Sequence, residues 1–379
     1  MLYSKGCGKT ASKHSSNSSA ARGFPFSGAP TRRSKKKRQP CGEFFRESEV
    51  LVLGRSRKIT LVAAGGACYR AADIPDGGEE GHFPATVMLD NLRPIPDMDL
   101  EVVEWSRQPS SHYTIRMVTD LAQVLGKLVR DGAEGLVVSA GTDVLEEMTY
   151  LVHLLWSYPQ PVIFTGSFVP WNVFGSDAGI NLRQALLAAA AECTWGLGVL
   201  VCLQDQLFSA AEITKEVSHR RDAFRSPGRG PVGEVSGDHV FITRRPSRGR
   251  VFGEDISPAR EIPILYAALG CGESLLAALA KTDIDGLILA GFGRGNVPPS
   301  WIPHLRNLLR REIPVVITSR CHRPRVVPSE IFEGGTARLL EMGVLNGGAL
   351  RPLQARLRLS VGLGAKLSSE ELQTYLLEG

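Results

Sequence analysis

A threonine hydroxyl and an aspartate carboxylate stand side by side at Thr142 and Asp143, directly after Gly141. A hydroxyl of this kind becomes a nucleophile when a neighbouring base or cation helps it to lose its proton. The same two side chains also fit a structural role, because Thr and Asp accept hydrogen bonds from free N–H groups at the start of a helix. Position alone leaves both interpretations open.

Few other residues have a spacing that indicates chemistry. Lys215, taken by itself, is typical of a solvated surface lysine. The eight histidines show neither HxxxH nor HExxH spacing, so we expect no metal site, and no motif calls for a cofactor. Gly8-Lys9-Thr10 lacks the earlier glycine of a phosphate loop, since Tyr3 stands there. A dinucleotide-binding loop at 291–296 fails because its last position is Asn296 instead of glycine.

The elements that must position these residues alternate from residue 58 onward between short apolar runs and amphipathic stretches. This alternation is typical of an α/β protein with parallel strands. The predicted strands of the first half lie at 58–66, 135–141, 161–166 and 197–202, with helices near 121–129, 145–156 and 181–191. Ligands of such sheets bind at the carboxyl ends of the strands. We therefore expect the site among the turns at 64–67, 139–143, 166–177 and 290–296.

Two domains are expected, because 379 residues exceed the usual size of one compact unit. We predict a larger N-terminal domain over 58–225, a crossover over 226–261 and a smaller domain over 262–379. The smaller domain has predicted strands at 262–266, 286–290 and 314–318 and helices near 274–281, 299–310 and 368–377. Residues 1–57 form a basic, Ser-rich extension whose composition predicts disorder.

The charge distribution limits the classes of partner. The formal net charge is +5, but the first 42 residues carry ten Lys or Arg and no acidic residue, so the rest of the chain is acidic. We therefore expect no nucleic-acid partner for the folded part. No apolar stretch reaches the roughly 18 residues of a membrane span, so no membrane is expected. Seven scattered cysteines without CxxC spacing predict reduced thiols and a cytoplasmic location.

Several motifs, in consistent order, resemble those of the bacterial-type asparaginase/glutaminase family. Gly141-Thr142-Asp143-Val144-Leu145-Glu146-Glu147 is similar to the second signature of that family, and Glu212-Ile213-Thr214-Lys215 to the segment with its catalytic lysine. Ser176-Asp177-Ala178-Gly179-Ile180-Asn181-Leu182 resembles the turn between them. The resemblance covers about residues 58–364. It implies a two-domain asparaginase-like α/β fold, with a larger N-terminal parallel-sheet domain and a smaller Rossmann-like C-terminal domain.

The same resemblance implies a reaction and a set of residue roles. Members of the family hydrolyse the side-chain amide of Asn or Gln through a threonine acyl-enzyme. Catalytic roles are implied for Thr142, Lys215 and Asp143, and substrate-binding roles for Gly141 and, through the substrate ammonium, Asp143. Substrate binding is also implied at a serine that holds the α-carboxylate, Ser106, and at its cationic neighbour, Arg107. The family further implies a homodimer or homotetramer that takes a small amino-acid-like substrate.

One part of the family pattern is missing. Its first Thr-Gly-Gly-Thr motif becomes Ala64-Gly65-Gly66-Ala67, so the usual nucleophile position, Ala67, carries only a methyl group. Ala140 replaces the usual histidine. A thiol follows at Cys68, but neighbours in a tight turn point to opposite sides. Two functions therefore stay open. The first is a divergent enzyme that hydrolyses a side-chain amide or catalyses a related reaction with Thr142, Lys215 and Asp143, which the retained second cluster favours. The second is a non-catalytic amino-acid-binding protein of the same fold.

Overall fold

The computed structural model describes residues 56–69 and 83–378. Residues 1–55, nearly all of the predicted disordered extension, lie outside the described residues. Backbone contacts place the described residues in one unit, Glu49–Gly379. Within the described residues, no helix combines the length and apolarity needed to cross a membrane.

The first part of the fold is built on one large sheet. Its strands are β1 (Arg57–Ala64), β2 (Met98–Ser106), β3 (Gly135–Ala140), β4 (Val162–Thr165), β5 (Val199–Leu203), β6 (Gln206–Ser209), β9 (Gly233–Ser236) and β10 (His239–Ile242). A separate two-stranded sheet consists of β7 (Thr214–Lys215) and β8 (Phe224–Arg225). The sheet order is β10-β9-β6-β5-β4-β3-β1-β2. Strands β1 to β5 pair in parallel, whereas β6, β9 and β10 add antiparallel pairs.

Helices cover both faces of this sheet. They are α1 (Ala85–Leu89), α2 (Ile115–Arg130), α3 (Leu145–Leu155) and α4 (Ala178–Ala190), with a short 3-10 helix at Ala67–Tyr69. Thr114 is the N-cap residue of helix α2, and its hydroxyl accepts a hydrogen bond from the Met117 N–H. Helices α2 and α3 pack on one face and α4 on the other. Because both faces are covered, every residue of β3 is buried, which explains its continuous apolar sequence.

The second part of the fold repeats this layering on a smaller scale. Its elements are β11 (Ile264–Tyr266), α5 (Glu273–Leu279), β12 (Leu287–Gly291), α6 (Ile302–Arg310), β13 (Val315–Ser319), α7 (Thr336–Glu341), β14 (Leu345–Asn346), α8 (Pro352–Gly364) and α9 (Ser369–Leu377). The four strands form a parallel sheet in chain order. Helices α5 to α7 pack on one face and α8 with α9 on the other. The predicted class, a larger parallel-rich sheet domain followed by a smaller parallel one, is confirmed.

Several elements are absent from the sequence-based expectation, and three of them change the layout of the two sheets most. Strand β2 lies at the edge of the large sheet where no strand is predicted. The segment predicted as a crossover, 226–261, contributes the hairpin β9–β10 to the same sheet. Helix α8 was not predicted either, although it packs against the strands of the smaller sheet. The domain boundaries at 225 and 262 stay a prediction, and the hairpin favours a later end for the first domain.

Candidate active site

The first two glycine-rich turns meet at the carboxyl ends of β1 and β3. The two strands are parallel neighbours in which Ala64 pairs with Ala140. Gly66 has φ +93°, and a Cβ added to it would lie 2.5 Å from the backbone nitrogen of Gly141. Only glycine fits such a contact, because any side chain would overlap the neighbouring backbone. This contact brings the turn that contains Ala67 against the turn that contains Thr142.

The Lys215 ammonium lies within hydrogen-bonding distance of both Thr142 and Asp143. The Lys215 Nζ donates to the Thr142 hydroxyl at 3.0 Å and to its carbonyl oxygen at 3.3 Å. It also lies 3.5 Å from the Asp143 Oδ1. The lysine side chain is only 18% exposed, whereas the Asp143 carboxylate is 64% exposed and open to a ligand. Neither Thr142 nor Asp143 caps α3, since its N-cap residue is Val144.

A buried glutamate holds the strand that carries Lys215. The Glu146 Oε2 accepts from the Thr214 hydroxyl at 2.8 Å and from the Lys215 N–H at 3.0 Å. Its other carboxylate oxygen, Oε1, pairs with Arg351 at 3.2 Å. A charge this deeply buried needs such partners, because desolvation without them is costly. Arg351, which precedes α8, thus helps to fix the lysine strand.

The third turn places an aromatic ring beside the lysine. The Asp177 carboxylate is buried and accepts from the N–H groups of Phe168 and Val169 at 3.2 and 3.0 Å. These bonds fold the 166–177 turn back on itself. The Phe168 ring then lies 5.4 Å from the Lys215 Nζ, a distance at which a cation is attracted to the ring face.

Ser110 belongs to the site, and sequence reasoning did not find it. It is 3% exposed, and its hydroxyl accepts from the Asp143 N–H at 3.2 Å. A Cβ added to Gly141 would lie 2.6 Å from the same oxygen, so Gly141 is required for this close approach. The only sequence signal was its place in a Pro-Ser-Ser loop, and no strand was predicted before it.

Two family models match the chain along most of its length. The model described as Asparaginase, N-terminal, matches residues 58–248, and the model described as Glutaminase/Asparaginase C-terminal domain matches residues 261–376. The chain belongs to the asparaginase family.

Individual members of the asparaginase family show the same likeness. A probable L-asparaginase of Deinococcus radiodurans is 33% identical over 276 residues, which cover 72% of this chain and 83% of that protein. A glutaminase-asparaginase of Pseudomonas aeruginosa is 26% identical over 322 residues, which cover 83% of this chain and 85% of that protein. The crystal structure of a probable cytoplasmic L-asparaginase from Campylobacter jejuni matches with a TM-score of 0.76 at 24% identity, covering 85% of this chain and 100% of that one. At 24% identity, the match to the Campylobacter jejuni structure shows only that the two chains share a fold.

The remaining residues named from the asparaginase resemblance are spread around the first turn. Ala67 is half-buried at the start of the 3-10 helix. Ser106 ends β2, beside Ala64, and its hydroxyl accepts from the Gln108 N–H at 3.2 Å. Arg107 is exposed. Among the described residues, no hydrogen bond links Ser106 or Arg107 to Thr142 or Lys215, and their proposed contact with substrate stays a prediction.

Cys68 is poorly placed to replace the missing asparaginase threonine. Its side chain is 1% exposed and packs in the core on the α4 side of the sheet. Burial raises the pKa of the thiol, although its hydrogen bond to the Ser167 hydroxyl at 3.3 Å opposes part of this shift. A thiol that keeps its proton is a weak nucleophile. This geometry supports the sequence-based view that Cys68 points away from the site.

An open cleft of about 1000 Å³ borders Lys215 on the side of the smaller sheet. Glu146 and Thr214 line it together with the lysine, and Tyr266 and Arg320 face them. The Arg320 guanidinium stacks over Phe292, in the fourth predicted turn, at 4.7 Å. The described residues contain no group of three or more His, Cys, Asp or Glu that could hold a metal ion.

Proposed function

We propose that this chain is a divergent amidohydrolase that acts on the side-chain amide of an asparagine- or glutamine-like amino acid. Thr142, Lys215 and Asp143 are the residues to which we assign the reaction. The observation that carries the proposal is the 3.0 Å distance between the Lys215 Nζ and the Thr142 Oγ1. A hydroxyl next to an amine is the arrangement that turns a threonine into a nucleophile.

The proposed reaction follows from these contacts. The step starts once the Lys215 ammonium has given a proton to water; the resulting amine takes the hydroxyl proton while the Thr142 Oγ1 attacks the amide carbon. The resulting lysine ammonium returns the proton to the leaving nitrogen, so ammonia departs and an ester to Thr142 remains. Water then hydrolyses the ester, with the amine again acting as base. Asp143, whose carboxylate is largely exposed, binds the α-ammonium group of the substrate.

A second function, binding of an amino acid without catalysis, is favoured by the first turn. Ala67 offers no hydroxyl where the family resemblance places the nucleophile, and Ala64 and Ala140 are buried and apolar. In this alternative the Thr142 cluster only holds the ligand. In a serine protease, removing the catalytic nucleophile lowers turnover by a factor on the order of 10⁶. The two functions should therefore differ widely in the rate of hydrolysis.

A substrate panel separates the two functions. The full chain is incubated with L-Asn, L-Gln, their D-forms and N-substituted or dicarboxylic analogues, and products are followed by ammonia release and mass spectrometry. We expect slow amide hydrolysis that Thr142→Ala or Lys215→Met abolishes. The exposed residues Thr374 and Lys281 supply matched controls, Thr374→Ala and Lys281→Met, which keep it. Hydrolysis that survives both site variants would rule out the proposed roles.

Restoring the missing hydroxyl tests whether the first turn has only lost its nucleophile. If the pocket is otherwise intact, Ala67→Thr increases hydrolysis of L-Asn over the wild type. If the pocket has been rebuilt for another amide, the variant leaves L-Asn hydrolysis unchanged and Thr142 remains essential. Calorimetry with L-Asn and L-Asp on the inactive Lys215→Met variant measures binding in both cases. Binding without turnover in the wild type supports the non-catalytic alternative.

A further inference from the structure

A cavity of about 400 Å³ lies where α3, α8 and the C-terminal residues meet. Five arginines line it against only two glutamates. The arginines come from segments that are far apart in the sequence, and only the folded chain brings their positive charges together. Lys215, Thr142 and Asp143 are not part of its wall.

Arg358 is the deepest of these arginines and is 5% exposed. Its guanidinium donates to the Tyr150 hydroxyl at 2.8 Å, to the Tyr375 carbonyl oxygen at 2.7 Å and to the carbonyl oxygen of Glu378. These acceptors are uncharged. Among the described residues no carboxylate forms an ion pair with Arg358, so its buried charge lacks an anionic partner. Burial of such a charge is costly unless a counter-charge is supplied.

His153 in the same wall is also short of a partner. It is 3% exposed, and its Nδ1 has no hydrogen-bond partner among the described residues. Burial, with the nearby charges of Arg248 and Arg358, lowers the pKa of the imidazole to about 3. The ring is therefore neutral at pH 7 and offers one donor and one acceptor. The buried Nε of Arg351 is likewise unpartnered within the described part of the chain.

The two glutamates of the wall do not neutralise the cavity. Glu212 accepts from Arg244, which lies outside the wall, and lies 3.5 Å from Arg229. Glu378 pairs with Arg250 at 3.1 Å. Arg323, by contrast, is exposed at the mouth of the cavity and forms no ion pair with a described residue. Both carboxylates of the wall are therefore already paired with other arginines, while Arg323 and Arg358 form no ion pair with a described carboxylate.

We propose that this cavity binds the phosphate group of a small molecule. A dianionic phosphate matches the excess charge better than a single carboxylate does, and guanidinium groups donate to its oxygens in pairs. Arg358 and Arg323 contact the phosphate, and His153 donates a hydrogen bond from the cavity wall. Arg351 lines the same cavity and also pairs with Glu146, so it connects the phosphate site to the strand of Lys215.

Isothermal titration calorimetry of the full chain in a chloride buffer at pH 7 tests the proposal, with inorganic phosphate and glycerol 3-phosphate as probes. We expect one phosphate per chain. Arg323→Gln weakens binding about tenfold to a hundredfold, since it removes a charge-assisted hydrogen bond. Arg325→Gln, an exposed neighbour outside the wall, leaves the Kd unchanged. Tighter binding of the ester than of phosphate identifies a phosphomonoester, and equal binding identifies free phosphate.

Three results would overturn the proposal. The first is no binding of either probe, and the second is equal weakening by Arg323→Gln and Arg325→Gln. The third is loss of phosphate binding in Lys215→Met, which would place the anion at the candidate active site. Because the readout is binding, it does not depend on whether the amidohydrolase proposal holds.

Discussion

The contact between Gly66 and Gly141 predicts a specific loss of stability in Gly66→Ala. A non-glycine residue in the left-handed region costs about 1–2 kcal/mol, and φ of Gly66 is +93°. Its new Cβ would also lie 2.5 and 2.6 Å from the N and Cα of Gly141 and 2.9 Å from the carbonyl carbon of Ala140. Overpacking of this kind costs about 1–3 kcal/mol more. The expected loss is about 2–5 kcal/mol in the free energy of unfolding.

Gly132→Ala isolates the backbone part of this cost. Gly132 has φ +103°, but an added Cβ would meet nothing within 4 Å. Its expected loss is therefore about 1–2 kcal/mol. Urea denaturation followed by tryptophan fluorescence compares the two variants, and Gly66→Ala should unfold at the lower urea concentration. Equal midpoints would refute the claim that the first two turns are in close backbone contact.

Gly66→Ala also has an expected effect on function. The added methyl group pushes the Gly141 backbone away and displaces the Thr142 hydroxyl from Lys215. A misplacement of about 1 Å costs on the order of 10² in rate at a well-positioned site. Gly132→Ala, which lies after α2, should keep full activity per folded molecule.

Three further outcomes are expected. His153→Gln should reduce the loss of stability in acid: the folded pKa of about 3 lies below the usual 6.5, so only the unfolded chain gains this proton as the pH falls below 6.5. Between pH 7 and pH 5, this titration should lower the free energy of unfolding of the wild type by about 2 kcal/mol. Urea denaturation in phosphate-free buffer measures this loss, and the contribution of His153 should be absent in the variant. Ser110→Ala should cost about 1–2 kcal/mol and lower any hydrolysis, because it leaves the Asp143 N–H without its acceptor, whereas exposed Ser111→Ala should change neither. Light scattering at micromolar concentration should give a dimer or tetramer, an expectation consistent with the 98% exposure of Leu269; a monomeric mass would contradict it.

The strands that the sequence predicted are those buried on both faces. β3, β4 and β13 are continuous apolar runs that end near glycine or serine, and burial on both faces requires such runs. β2 was missed because it lies at the edge of the sheet, and charged residues such as Glu101 and Glu104 interrupt its apolar pattern.

Turn chemistry explains another missed element. The β5–β6 hairpin turns through Gln204 and Asp205, which have φ +52° and +63°. Asn-Gly is the usual signal for such a turn, and Gln-Asp does not provide it. The strand β6 therefore could not be recognised from its flanking residues.

The residues of the candidate site also separate into those that the sequence predicts and those that it does not. Thr142 and Lys215 were proposed from motif resemblance, and the structure places their side-chain atoms 3.0 Å apart. Ser110 and Arg351 were not proposed, because each acts through one side chain that reaches a distant segment. Arg351 is more than 200 positions from Glu146 in the sequence. No local pattern encodes a contact of that range.

The ion pair between Glu146 and Arg351 affects how the chain can fold during its synthesis. The ribosome releases Glu146 and the Lys215 strand well before Arg351, which precedes one of the last helices. A nascent chain that stops short of Arg351 therefore has to bury Glu146 without its cation or keep that region open to water. The candidate catalytic lysine thus acquires its final position late, when the C-terminal helices dock, and early proteolysis of nascent chains should concentrate around residues 212–217.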